Sequence, residues 1–165
     1  MSAENPVGPA VLCWDGSASA LHAIRQSAQL LGQGRRAIVL FAHIPTESAR
    51  GVFAGLGGPD APIMGMTDAE ILLEQGTHAA REAGFDASPM GVVASRKTDA
   101  IIVATADEQD ASVIVMGQRG RSALGVAVLG SVARGVINNA AHRPVILVAP
   151  SQAGSRSAGP ARPAA

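Results

Sequence analysis

The sequence predicts an α/β fold: a three-layer sandwich with helices on both faces of a five-stranded parallel sheet, Rossmann-like in layout. Three observations carry this. Five short apolar runs alternate with segments of helical spacing, the pattern of repeated βαβ units. Ala37–Ile44 (AIVLFAHI) is apolar almost throughout, as expected of a strand covered on both faces of a parallel sheet. Residues 110–150 read as strand, glycine loop, helix, strand, the order of a phosphate-binding unit.

In chain order, Ala10–Trp14 is the first strand and Asp15-Gly16-Ser17 breaks it. Ser17–Leu31 reads as a helix, with Ala20, Ile24, Ala28 and Leu31 on one face, and Gly32 and Gly34 end it. Ala37–Ile44 is the second strand, stopped by Pro45. Residues 46–67 are rich in Gly, Pro and Met and read as a long loop. A helix runs from Thr67 to Ala83. Ala87–Ala94 is a weaker strand, whose Pro89 and Gly91 predict a sheet edge. Thr98–Glu108 is the third helix, Ala111–Met116 the fourth strand, Val132–Ala141 the fourth helix and Val145–Ala149 the fifth strand. The tail 151–165 has no apolar anchor and reads as disordered.

Composition excludes several classes. The chain of 165 residues has 47% apolar content, which suits one globular domain with a sizeable core. Thirteen basic residues balance thirteen acidic ones and aromatics are 2%. That gives neither the charge nor the stacking surface for nucleic acid. No apolar run reaches membrane-spanning length, and the N-terminus carries no secretion signal. The lone Cys13 suits a reducing cytoplasm.

The chemistry concentrates in G-x2-G-x9-G-S: Gly117, Gly120, Gly130 and Ser131. Glycines let a backbone approach phosphate closely. The free amides and dipole at a helix start favour an anion, and the Ser131 hydroxyl can donate to it. In an open parallel sheet, ligands sit beyond the carboxyl ends of strands where the strand order reverses. Asp15, after strand one, and Gly117, after strand four, therefore point at one crevice. Two other phosphate signatures fail. There is no G-x-x-x-x-G-K-[ST]. Gly32–Ala37 matches G-x-G-x-x-A but follows a helix and precedes a strand. His22, His43, His78 and His142 lack metal-ligand spacing, and Cys13 reads as core. Asp15 and Ser17 have a second reading, as caps of the first helix.

With these residues in view, the chain resembles the universal stress protein family. VIVMGQRGRS, LGSVARGVI and RPVILV look like its C-terminal half, and Val11–Ser17 like its first strand and turn. The resemblance covers about residues 8–150. It implies an adenine nucleotide alpha hydrolase-like fold over a domain 1–150, a cytoplasmic location, and binding of ATP, AMP or cyclic AMP, with Mg or Mn accompanying the nucleotide. Position by position, it implies Asp15 near the ribose and, indirectly, a metal; the Ile44 backbone at the adenine; and Gly117, Gly120, Gly130, Ser131 and Val132 around the phosphates. Arg119, between the first two glycines, can pair with phosphate. Trp14 stands where the family often has a smaller residue, which bears on the ribose pocket. A homodimer through Val145–Ala149 is implied as well. No catalytic residue is nominated, so the expectation is a nucleotide-dependent stress-response or signalling protein. A cyclic AMP receptor and a slow ATPase or self-phosphorylating enzyme stand as alternatives.

Overall fold

A computed structural model describes residues 7–46, 61–119, 129–140 and 142–151. The sheet is wholly parallel. Its five principal strands are β1 (Ala10–Cys13), β2 (Arg36–Pro45), β4 (Asp86–Val93), β5 (Val113–Gly117) and β6 (Val145–Val148). They run in the order β4-β2-β1-β5-β6. The strand order thus reverses at β1, between β2 and β5. Helices α1 (Ala18–Leu31), α2 (Met66–Glu82), α3 (Thr98–Glu108) and α4 (Ser131–Asn139) complete the described elements.

The period-two alternation of the strands sorts the core into two layers. Leu12 and Trp14 of the β1 segment, Val39 and Phe41 of β2, and Val113 and Val115 of β5 pack with Ala20, Ile24 and Ala28 of α1 and Ala69 and Ala80 of α2. Their neighbours Val11, Leu40, Ile114 and Met116 face the other way, against Ile102 and Ala106 of α3 and Ala133 and Val136 of α4. The helices thus lie on both faces, as the alternating pattern predicts.

The predicted edge is an edge: among the described residues β4 pairs only with β2, and at the other end of the sheet β6 pairs only with β5. The Asp86 amide donates to Arg35 and the Ala94 amide to His43, so even-numbered amides of β4 point at β2. Pro89 then falls where its missing N–H faces the open side, which is where a strand tolerates proline.

The structure adds a sixth strand to the five expected. Ile63–Met64 (β3) lies inside the stretch read as loop and pairs in parallel with Ile44–Pro45. Two residues between Pro62 and Gly65 are too few to show a period. The predicted loop otherwise falls mostly outside the described residues, as do the tail beyond Ser151 and the motif glycine Gly120.

Candidate functional site at the carboxyl ends of β1 and β5

β1 and β5 are neighbours, with Ala10 opposite Val113 and Leu12 opposite Val115. Asp15 therefore leaves the sheet beside Gly117, as the sequence predicts. The Asp15 carboxylate accepts from the Ser17 amide (2.9 Å), and the Ser17 hydroxyl caps α1 by accepting from the Ala20 amide (3.1 Å). Gly16 sits at φ +79°, a conformation that favours glycine, and a side chain there would run into Leu72. The capping reading of Ser17 is thus realised, and Asp15 is held at the mouth of the crevice by the same turn.

On the other side, the chain returns from the glycine loop to the end of β5. The Gly130 amide donates to the Gln118 carbonyl (3.1 Å), and the Gln118 amide to Val148 (2.9 Å). This joins the first and third motif glycines, Gly117 and Gly130, across one residue. Gly130 is the cap residue of α4, and among the described residues no side chain caps that helix. Helix starts leave amides that need an acceptor. Ser131, exposed, and Val132, half-buried, open the helix there. The backbone of Gly130 (φ −59°, ψ 152°) suits any residue, so its dihedrals do not demand glycine.

Gly117 has a different reason. A Cβ there would meet the Ser19 hydroxyl and come within 3.0 Å of the Ser19 backbone carbon and oxygen. Its lack of a side chain lets α1 pack onto β5. The Ser19 Oγ is buried and has no hydrogen-bond partner among the described residues, and the same holds for the Nε of Arg119. Buried polar atoms without partners cost about 1–3 kcal/mol each, and these two flank the end of β5. A phosphate chain would find there an uncapped helix start, a buried hydroxyl and a guanidinium, so the residues present fit an anionic ligand. Ser19 was not singled out from sequence. The available signal was the small-residue stripe Ser19, Ala23, Ser27, with the last two fully buried.

Trp14, whose size bears on the ribose pocket in the sequence reading, is turned into the core. Its indole packs in the α1–α2 layer, 8% exposed, and its Nε1–H donates to the Leu72 carbonyl (2.7 Å). His43 is core, as expected, but not satisfied. It is 4% exposed and stacked on Phe41 (5.8 Å between centroids), and neither ring nitrogen has a partner among the described residues. Ile44 reaches the end of β2, and its amide donates to Pro62 (2.8 Å). Asp15 joins no cluster of three or more metal-ligating side chains among the described residues. At the opposite end of the sheet is a depression of about 450 Å³, bordered by Arg36, Asp86, Ser88 and Asp110. It holds none of the predicted site residues.

Burial, with the Asp15 charge adding to it, pushes the Cys13 thiol up to about 12. Two results follow. Folded protein should resist iodoacetamide at pH 8, whereas unfolded protein should react promptly. The folded state keeps its proton to about pH 12 and the unfolded thiol loses it near 9.0. This group's stabilisation is therefore complete below pH 9 and declines above it. Thermal midpoints of wild type and Cys13→Ala across pH 8–11 should diverge in that sense.

A parallel sheet with a crevice at its carboxyl ends, between an uncapped helix and a carboxylate-bearing turn, defines a Rossmann-like α/β protein. A model of the universal stress protein family matches residues 8–149, and the chain belongs to that family. None of the curated proteins searched matches it. Among solved structures, a universal stress protein from Archaeoglobus fulgidus is 29% identical, with TM-score 0.63, over 85% of this chain and 97% of that one. One from Archaeoglobus fulgidus in complex with dAMP is 26% identical, with TM-score 0.61, over 85% and 96%. A universal stress protein in complex with cAMP, 24% identical with TM-score 0.60, shares the fold over 88% and 98%. No helix among the described residues is long and apolar enough to cross a membrane.

Proposed function

We propose that this protein binds an adenine nucleotide, ATP in the first instance, in the crevice between β1 and β5, and acts as a nucleotide-dependent stress-response or signalling protein. The observation that carries this is the join at Gly130. The bond from its amide to Gln118 brings the uncapped start of α4 to the end of β5, so the free helix amides and the glycine loop serve one anion. Ser131, Val132 and Arg119 surround the phosphates, with Gly120 of the same loop. Asp15 lies toward the ribose, and a divalent cation arrives with the nucleotide. Ile44 offers its backbone to the base. The dAMP complex of the Archaeoglobus fulgidus relative supports the adenine class. Titration calorimetry with ATP and Mg tests the proposal: saturable heat is expected, and its absence together with no displacement of a fluorescent adenine nucleotide would sink it.

The same reading includes a homodimer. Among the described residues β6 is an edge strand, and its four residues, Val145–Val148, are all only half-buried. An unpaired apolar edge is a template for a second strand. Light scattering is expected to give a particle of twice the 16.6 kDa chain mass. Replacing Ile146 with lysine should shift it to the single-chain mass.

A further inference from the structure

Within β2, even-numbered backbone groups face β1 and odd-numbered ones face β4. The Trp14 amide donates to Leu40, and the Ala94 amide to His43. The Ile44 amide, even-numbered, therefore points to the side of β1, and there it meets the Pro62 carbonyl at 2.8 Å. β3 consequently occupies the same edge of β2 as β1, directly beyond the point where β1 turns into Asp15. That is the crevice in which open α/β sheets hold ligands. β2 ends at Pro45, so the Ile44 amide is the last main-chain donor of β2 on this edge.

We infer that Pro62–Met64 is a strap competing with the nucleotide base for the Ile44 edge of β2, so that nucleotide binding and strap release are linked. The inference rests on the nucleotide reading above, and it assigns that site a built-in regulator. The strap pairs over two residues, Ile44 with Ile63 and Pro45 with Met64, whereas β4 pairs over eight on the opposite edge. So short a ladder is the part of the sheet that opens most readily. It is nonetheless tethered, since Ala61 is buried and Met64 packs against the α1–α2 core layer. Such a contact lowers the apparent affinity by the fraction of molecules whose edge is free.

The test is calorimetry with ATP and Mg on wild type and on Ile63→Gly/Met64→Gly, with hydrogen exchange on the wild type. Expected are about tenfold tighter binding by the variant and faster exchange across residues 62–66 when ATP is added to wild type. Equal or weaker affinity in a variant that still melts cooperatively would overturn the strap and leave the nucleotide reading standing. So would slower exchange at 62–66 with ATP in wild type, a readout that does not depend on the variant folding. If neither chain binds an adenine nucleotide, the functional reading fails and the strap with it.

Discussion

Replacing Gly130 with alanine is expected to weaken ATP binding roughly tenfold to a hundredfold, the worth of one or two charge-assisted hydrogen bonds, while leaving the fold almost untouched. At φ −59° and ψ 152° an alanine fits Gly130 without strain. The folded chain therefore loses only the few tenths to one kcal/mol by which alanine is the poorer helix cap. A bound phosphate would lose more, because the new methyl stands at the helix start where its oxygens must approach. Gly117→Ala gives the contrast. There the methyl meets the Ser19 backbone at 3.0 Å, so α1 has to shift, and stability and affinity should fall together. Calorimetry paired with thermal melts separates the two. Gly130→Ala with unchanged affinity would remove α4 from the phosphate site.

The largest expected loss of stability comes from Gly76→Val. Gly76 is buried in α2, and a Cβ there would lie 2.7 Å from the Trp14 indole. One turn earlier, the Leu72 carbonyl accepts the indole N–H. Helix and ring are thus fixed at a distance only glycine allows. Glycine costs a helix about 1 kcal/mol relative to alanine, a cost this contact offsets. Overpacking with valine should cost about 3 kcal/mol, lowering the melting midpoint by roughly 6–12 °C. Trp14→Leu in the same chain should recover part of that loss, because the two positions touch. Strictly additive effects would refute the contact.

The alternation of apolar runs and helical spacing placed every principal strand and helix, because a doubly covered parallel sheet writes its burial directly into local composition. The crevice was legible for the same reason: Asp15 and Gly117 each close a strand, and strand order makes those strands neighbours. What stayed hidden depends on residues far apart in the chain. From sequence, Trp14 bears on the size of the ribose pocket, yet its indole turns to α2, where Gly76 leaves room for it. Ile63–Met64 carry no strand signal of their own and pair only because β1 has vacated the end of β2. Gly117 reads as a phosphate glycine, but its neighbour in space is Ser19. The nitrogens of His43 and the Oγ of Ser19, which have no partner among the described residues, are likewise invisible before packing is known.

The central place of β1 has a consequence for biosynthesis. Ala10 pairs with Ala37 on one side but with Val113 on the other. As the chain leaves the ribosome, the first edge can close early. The second stays open while about 75 more residues are added, roughly 4–15 s at ordinary elongation rates. Throughout that interval the most apolar strand pair of the nascent domain presents an unmatched edge. The early chain is thus the stage at which this protein is most exposed to wrong partners.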